Sequence, residues 1–495
     1  MSAIDPSPHP LQIATRAPEP VAPAPPPGWQ IALRWIVPIG IGALIRVFPV
    51  PDGVEPAGWS LLAVFVATIA AIIAKPAPMG VVSVIGLTFA ATAGILTIDE
   101  ALSGFGNSAI WLIVLAFFIA RGFIKTGLGA RIAFLFVKLL GKRTVGLAYG
   151  LAATDLVLSP AMPSTTARAG GVIFPILRSL ASAFESEPND PSATRMGSYL
   201  TNCAMQVNAV TGGMFATAMA ANPIIVDLAT EGEVQLSWGT WALAAIVPGL
   251  VALAVLPLVI LKLDPPEVRE SPGATEYAKS ELASMGTLRR DEKLMLGVFG
   301  LLLGLWMLGD PLFGMGATVA AMIGLSVLLV TDVLTWEDIK AEKGAWDTLV
   351  WFAVLVTMAK FLSELGVIGW FSDVMSGAVD GFGWPLALAV LIGVYVYGHY
   401  FFASMTAQVT AMYAAFMGAA VVAGAPAFLA AIGLAVASNL MGGLTHYASG
   451  PAPVLFGAGY MSVGKWWTVG LVSSIVTLGI FGTVGVGWTK LLGLW

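Results

Sequence analysis

Charge, cysteine and histidine are all scarce in this sequence. Only 11% of its 495 residues are Asp, Glu, Lys or Arg, against roughly 25% in an ordinary soluble protein. A soluble chain of this length needs a charged shell, so a typical soluble enzyme is excluded. The single cysteine, Cys203, excludes a disulfide framework and a cysteine-rich metal site. Three histidines, His9, His399 and His446, leave little room for metal or haem chemistry. The net charge of −5 is too mild to point to a nucleic-acid partner. What is abundant is apolar surface: 57% of the residues are hydrophobic and the mean hydropathy is +0.86. The solvent for most of the chain is therefore lipid. Its 56 glycines and 31 prolines must sit largely inside membrane segments, because the composition is too apolar for disorder.

Residues 1–28 are the exception, being polar and proline-rich and ending in APEPVAPAPPPG. They lack the basic start and apolar core of a signal peptide and read as a disordered cytoplasmic tail. After them come eleven apolar segments long enough to span, at 30–49, 59–74, 79–97, 108–137, 197–228, 238–261, 293–309, 313–331, 347–371, 428–460 and 466–492. Two more apolar stretches, 144–180 and 384–423, are interrupted by polar and helix-breaking residues. The expected fold is an all-α polytopic membrane protein of about eleven transmembrane helices plus two re-entrant helical hairpins. Its expected parts are scaffold helices over 29–98, a first repeat over 99–262, a cytoplasmic loop over 263–292, further scaffold helices over 293–346, and a second repeat over 347–495. The first repeat holds hairpin 144–180 and a broken helix at 197–228, the second hairpin 384–423 and a broken helix at 428–460.

If each interrupted stretch enters and leaves by the same face, one side of the membrane receives nearly all the basic loop residues. These are Lys75, Lys125, Arg131, Lys138, Lys142, Arg143, Arg178, Arg195, the 262–293 loop, Lys340, Lys343 and Lys465. The other side receives only Arg46 and Lys490. By the positive-inside rule the basic side and the N-terminus are cytoplasmic. The arm after Ser164 has about 14 residues before Arg178 and contains Gly170, Gly171 and Pro175, which favours a hairpin over two full crossings.

The chain also resembles itself. At a shift of 240 residues Gly104 falls on Gly344, Trp111 on Trp351, Val114 on Val354, Leu115 on Leu355, Gly129 on Gly369, Gly141 on Gly381, Ser164 on Ser404 and Thr166 on Thr406. At a shift of 230, Gly212-Gly213 fall on Gly442-Gly443 and Pro223 on Pro453. By the loop count the halves enter from opposite faces, the inverted-repeat design of secondary transporters.

The first hairpin carries SPAMPSTTARAGG from Ser159 to Gly171. Pro160 and Pro163 disfavour continuous helix, and Ser164, Thr165 and Thr166 are good N-caps for the returning arm. Hydroxyls, free N–H groups and a helix N-terminus together bind anions. Ser404 and Thr406, within HYFFASMTAQ, are the mates. Each hairpin is expected to face a helix broken near Asn208 to Gly213, with Thr211, or near Gly442 to Gly450, with Thr445, His446 and Ser449. Together the four breaks predict one polar site at membrane depth. Ser and Thr in membrane helices often bond back to the helix or glue neighbours instead. Arg168 is costly at bilayer depth and reads as functional, or as the structural partner of Asp155 nine positions before Ser164. His399 reads as a satisfied buried histidine or a proton carrier, and His446 as a packing residue or a ligand contact.

These residues resemble the divalent anion/sodium symporter family. PSTTARAGGVIFPI and NLMGGLTHYASGPAPVLFG look most like its branch of 2-oxoglutarate/malate translocators and citrate/succinate antiporters. The resemblance implies a homodimer in which a transport part moves against a scaffold by an elevator movement, carrying di- or tricarboxylates of the malate, succinate, fumarate, 2-oxoglutarate and citrate class. The family's paired Ser-Asn-Thr motifs correspond here to Ser164-Thr165-Thr166 and Ser404-Met405-Thr406, so both central asparagines are absent. Thr165 still offers a hydroxyl, whereas Met405 does not, which shifts the second carboxylate to Ser404, Thr406, Thr445, His446 or Ser449. Sodium-driven members offset the substrate's charge with Na⁺. Arg168 just past the first tip and His399 just before the second are expected to supply that positive charge here, which favours Na⁺-independent exchange across a bacterial-type inner membrane. No cofactor or metal is expected, except Na⁺ if the protein is instead a Na⁺- or H⁺-coupled symporter. No nucleophile motif or HExxH supports a membrane enzyme. A channel needs less than a symmetric occluded site. Deleting the proline-rich tail is expected to leave carboxylate uptake into proteoliposomes unchanged.

Overall fold

The computed structural model describes residues 28–379 and 381–495; residues 1–27 of the proline-rich tail, His9 among them, lie outside the described residues, and Gly28 begins the first helix. Among those residues the fold is helical, with one isolated antiparallel bridge between Arg143 and Glu270. The helices of the first half are α1 Gly28–Val47, α2 Pro56–Ala74, α3 Met79–Thr92, α4 Ile98–Leu102, α5 Ser108–Thr126, α6 Leu128–Leu140, α7 Thr144–Leu158, α8 Phe174–Ala183, α9 Gly197–Met214, α10 Asn222–Glu231 and α11 Trp238–Leu263. They continue with α12 Pro272–Ser284, α13 Arg290–Phe313, α14 Ala317–Val330, α15 Trp336–Ala341, α16 Lys343–Glu364 and α17 Val367–Gly377. The chain closes with α18 Trp384–Gly398, α19 Met405–Val422, α20 Ala427–Leu440, α21 Pro451–Gly457, α22 Val463–Ile480 and α23 Val486–Leu491. Among the described residues nine helical stretches are long and apolar enough to cross a membrane. The elements expected as spans at 79–97 and 313–331 are shorter, as α3 and α14.

The segment 108–137, read as one span, is two helices. Asn107 caps α5 by accepting from the N–H groups of Ala109 and Ile110, and α5 ends where Gly127 takes φ 77°. That left-handed conformation suits glycine. It turns the chain directly into α6, whose Ala133 and Val137 are buried while Leu135 and Leu139 are exposed.

Contacts between loops sort the chain by face. Lys125 pairs with Asp338 at 2.6 Å. Arg143 bridges Glu270, and the Val268 N–H donates to Arg195 O at 3.0 Å. Lys465 pairs with Asp264 at 2.7 Å, and Ser198 and Asn202 also donate to that carboxylate. The basic segments thus touch one another, and the stretch from Arg143 to Arg195 begins and ends against the same loop. The second interrupted stretch likewise closes on itself, since a Cβ on Gly424 would lie 3.9 Å from Trp384 Cβ. Elsewhere the Glu55 N–H donates to Leu365 O at 3.1 Å, joining the loop after α1 to the loop after α16.

The returning arm of the first hairpin is longer than its proline and glycines indicate. Residues 167–173 form a π-helical turn that runs into α8, and Pro175 sits just past that junction, in the first turn of α8. The helix continues past Arg178 to Ala183.

Arg131 on α6 is held by Glu292 at the start of α13, with Nε to Oε1 at 2.6 Å and Nη2 to Oε2 at 3.2 Å. The Arg131 fork also donates to Gly286 O and Met285 O, and the Glu292 side chain is fully buried. Removing one partner strands a buried charge, so Arg131→Ala is expected to cost about 3–5 kcal/mol, read as a lowered Tm of the detergent-solubilised protein. Replacing both residues by apolar ones of similar volume is expected to recover much of that loss.

Candidate functional site

Both hairpin tips are built as the cap chemistry requires. Ser164 Oγ accepts from the Ala167 N–H at 3.1 Å, and Ser404 Oγ accepts from the Ala407 N–H at 3.3 Å. Each serine therefore starts its returning arm, and Ser164, Thr165 and Thr166 are all partly exposed. Thr166 Oγ1 lies directly over Gly450, and a Cβ on Gly442 would come within 2.7 Å of Met405 Sδ. Ser449 Oγ donates to Gly442 O at 2.7 Å. The two tips thus meet around the second break, at 444–450, where Thr445 Oγ1 is buried with no partner among the described residues. Thr406 is nearly buried on the first turn of α19.

The first broken helix departs from expectation. Helix α9 runs unbroken through Asn208, Thr211 and Gly213, and the irregular segment is 215–221. The paired glycines serve close packing instead. A Cβ on Gly212 would lie 2.8 Å from Asn439 Oδ1 and 3.7 Å from Thr165 Cγ2, so only glycine lets α20 and the first tip approach this closely.

Arg168 and Asp155 are both fully buried and paired, Nε to Oδ1 at 3.1 Å. Nη1 of Arg168 donates to Met162 O in the tip and to Ala218 O in the first break, the latter at 2.6 Å. Asn208 Nδ2 reaches both oxygens of Asp155 at 3.2 Å, and Thr211 Oγ1 donates to Oδ2. Asn208 and Thr211, expected at the substrate, direct these donors to Asp155 instead. Within this cluster Nη2 of Arg168 and Oδ1 of Asn208 are left without partners among the described residues.

His399 is fully buried at the second tip. Its Nδ1 lies 2.5 Å from Gln408 Oε1 and its Nε2 2.7 Å from Ala448 O. Gln408 Nε2 donates to Tyr395 O, which fixes the amide with its oxygen towards the ring. Both ring nitrogens therefore face acceptors, an arrangement that the doubly protonated imidazolium satisfies and a neutral ring does not. His446 is partly exposed among aromatic rings, with Phe456 at 4.8 Å and Tyr447 at 5.1 Å between centroids.

Sequence reasoning missed several buried amides. Asn439 Nδ2 donates to Asn222 Oδ1 at 2.9 Å, Asn222 Nδ2 donates to Gly212 O at 2.8 Å, and Gln206 Nε2 donates to Gly443 O at 3.1 Å. These bonds tie the two broken helices to each other. Their signal was position, since Asn222 stands before Pro223 and Asn439 shortly before the Gly442-Gly443 pair. A cavity of about 540 Å³ among α1, α2 and α3 is lined by none of the tip residues and chiefly by apolar groups such as Ile39, Val64, Val82 and Phe89. It suits lipid tails rather than an anion.

Residues 30–495 match the family described as the sodium:sulfate symporter transmembrane region. The chain is 53% identical over 472 residues to a putative malate transporter of Bacillus subtilis, covering 94% of this chain and 98% of that one. It is 45% identical to the chloroplastic dicarboxylate transporter 1 of Arabidopsis thaliana, covering 96% and 86%. With the L-tartrate/succinate antiporter of Shigella sonnei it shares 34% identity over 92% and 97%. The solved YdaH transporter of Alcanivorax borkumensis has the same fold, with a TM-score of 0.52 at 15% identity over 95% of this chain and 98% of that one. A family match across nearly all of the described chain, on a fold whose hairpin tips meet at broken helices, places the protein in the divalent anion/sodium symporter family of membrane transporters.

Proposed function

We propose that the protein exchanges di- or tricarboxylates across a bacterial-type inner membrane without Na⁺. Support for the substrate class comes from relatives named for malate, dicarboxylate and tartrate/succinate transport. The substrate carboxylates are received by Thr165 and Thr166 of the first tip, by Ser404 and Thr406 of the second, and by Thr445, His446 and Ser449 of the second break. Ser164 and Ser404 shape the tips as N-caps.

The observation that carries Na⁺ independence is His399. It sits at the second tip with acceptors on both nitrogens and no carboxylate partner among the described residues, as a built-in cation would. Arg168 contributes differently from expectation, because Asp155 already cancels its charge. With His399 protonated, an empty site holds uncompensated positive charge, which is costly to carry through a low-dielectric membrane, and a bound dicarboxylate offsets it. Return of the site therefore requires a second anion, which is exchange.

We infer that the moving part comprises both hairpins and both breaks, since Arg168, Gln206 and Asn439 bond them into one body. Helix α1, with Trp29, Ile36, Ile39 and Leu44 exposed, offers an apolar face for lipid and for a second copy in a homodimer. The second reading is sodium-coupled symport, which the family's description favours.

Labelled succinate is expected to enter proteoliposomes only when they are preloaded with unlabelled dicarboxylate, equally with Na⁺ or choline outside. Sodium-driven accumulation in empty vesicles would establish the symport reading instead. Asp155→Asn leaves Arg168 buried without a counter-charge and is expected to abolish exchange. Asp155→Asn with Arg168→Gln is expected to restore a substantial part of it. A double variant as inactive as Arg168→Gln alone would make Arg168 a direct substrate ligand.

A further inference from the structure

We propose that Trp467 is a positioning residue: its indole N–H holds His446 as the neutral tautomer protonated on Nε2, which leaves that N–H to donate to a substrate carboxylate. This rests on the reading of His446 as a substrate contact. Trp467 Nε1 donates to His446 Nδ1 at 3.3 Å. The two rings are nearly parallel, with an interplanar angle of 29° and centroids 6.4 Å apart. A nitrogen that accepts an N–H presents its lone pair, so the single ring proton lies on the other nitrogen. Phe456 and Tyr447 pack against the ring and hold its plane. No partner for His446 Nε2 is found among the described residues.

The first repeat shows what the same tryptophan does where no ligand contact is needed. Beyond Pro223 the shift falls to 229, which sets Trp238 on Trp467, whereas at the shift of 230 that holds from Gly212 to Pro223 Thr217 falls on Tyr447, next to His446. Trp238 Nε1 donates to Thr217 Oγ1 at 2.9 Å, and that hydroxyl gives its only proton to Pro160 O in the first tip at 2.5 Å. The relay therefore ends inside the protein. In the second repeat the equivalent residue keeps the tie to the hairpin without the tryptophan, because Tyr447 Oη donates to Tyr400 O at 3.0 Å while Trp467 donates to the neighbouring His446. Tyr400 stands 240 residues after Pro160, and Tyr447 stands 230 after Thr217. With the hairpin secured by Tyr447, the indole of Trp467 is free to orient a ring that has a second N–H to give.

The device suits an anionic ligand. A neutral imidazole held this way is a fixed donor that adds no charge, so the charge balance of the site stays with His399. It also stands in the same break as Ser449 and the unpartnered hydroxyl of Thr445.

The protein has only three histidines, so uniform ¹⁵N-histidine labelling of the full chain in lipid gives a readable spectrum, with His446 assigned by its loss in His446→Gln. The expected spectrum shows His446 with a bare Nδ1 and a protonated Nε2. Trp467→Phe keeps an aromatic ring but removes the donor, and is expected to mix the tautomers and raise the KM for succinate exchange about tenfold, the size of one hydrogen bond to a charged group, with little change in Vmax. In the His446→Gln background Trp467→Phe is expected to leave KM unchanged. A wild-type His446 protonated on Nδ1, or a KM rise from Trp467→Phe that is the same with and without His446, would overturn the positioning role. An unaltered KM in His446→Ala would overturn the substrate contact itself, and would do so whatever tautomer the spectrum shows.

Discussion

A carboxylate shut away from water inside a membrane protein persists as an anion only where donors surround it, and in this transporter the first hairpin is organised around that requirement. Asp155 draws in Arg168 from the returning arm and Asn208 and Thr211 from α9. Arg168, once drawn in, reaches on to Met162 O and Ala218 O, which satisfies irregular backbone in the tip and in the first break. Backbone without helical bonds survives at membrane depth only with such partners. One buried charge thus fixes the hairpin, the adjoining helix and the break relative to one another.

The second half solves the same problem without a carboxylate. At the internal shifts, Asp155 corresponds to Tyr395, Arg168 to Gln408 and Asn208 to Ser438. The contacts correspond as well: Gln408 donates to Tyr395 O, and the Tyr395 hydroxyl meets Ser438 Oγ at 2.9 Å. Where the first half has an ion pair, the second has neutral groups, and Gln408 turns its remaining oxygen to His399. The equivalence of the halves therefore extends from residue spacing to which positions bond one another, while the atoms used and the charges differ. That difference leaves the first tip electrically closed and the second tip able to meet an anion.

Much of this was legible in the sequence because membrane solvation imposes strong rules. Long apolar segments, the interrupted hairpins and the serine caps all follow from the need to bond every backbone group internally. The break in the first repeat was misplaced because Gly212 and Gly213 have two possible uses. Flexibility was inferred, whereas the glycines make room for Asn439 and Thr165 beside an intact helix. The single span expected at 108–137 failed for a related reason, since one left-handed glycine at position 127 redirects a chain whose hydropathy never falls. The partnership of Arg168 with Asp155 was visible as an option but not as a choice, because spacing alone does not say which way a guanidinium points. Trp467 was invisible, being one of 16 tryptophans, and acquires meaning only beside His446.

The π-helical turn at 167–173 has a consequence of its own. Such a turn accommodates one residue more than an α-helix would over the same rise. Removing a single residue there would return the arm to ordinary α geometry with its flanks still in phase, whereas removing one from α8 itself would rotate everything before the cut by about 100° relative to the rest of the helix. Arg168 would then swing away from Asp155 although neither had been altered. The aim of the first tip is therefore written in the count of residues in α8, and a lineage has one position to lose in the π turn but none in the helix that follows it.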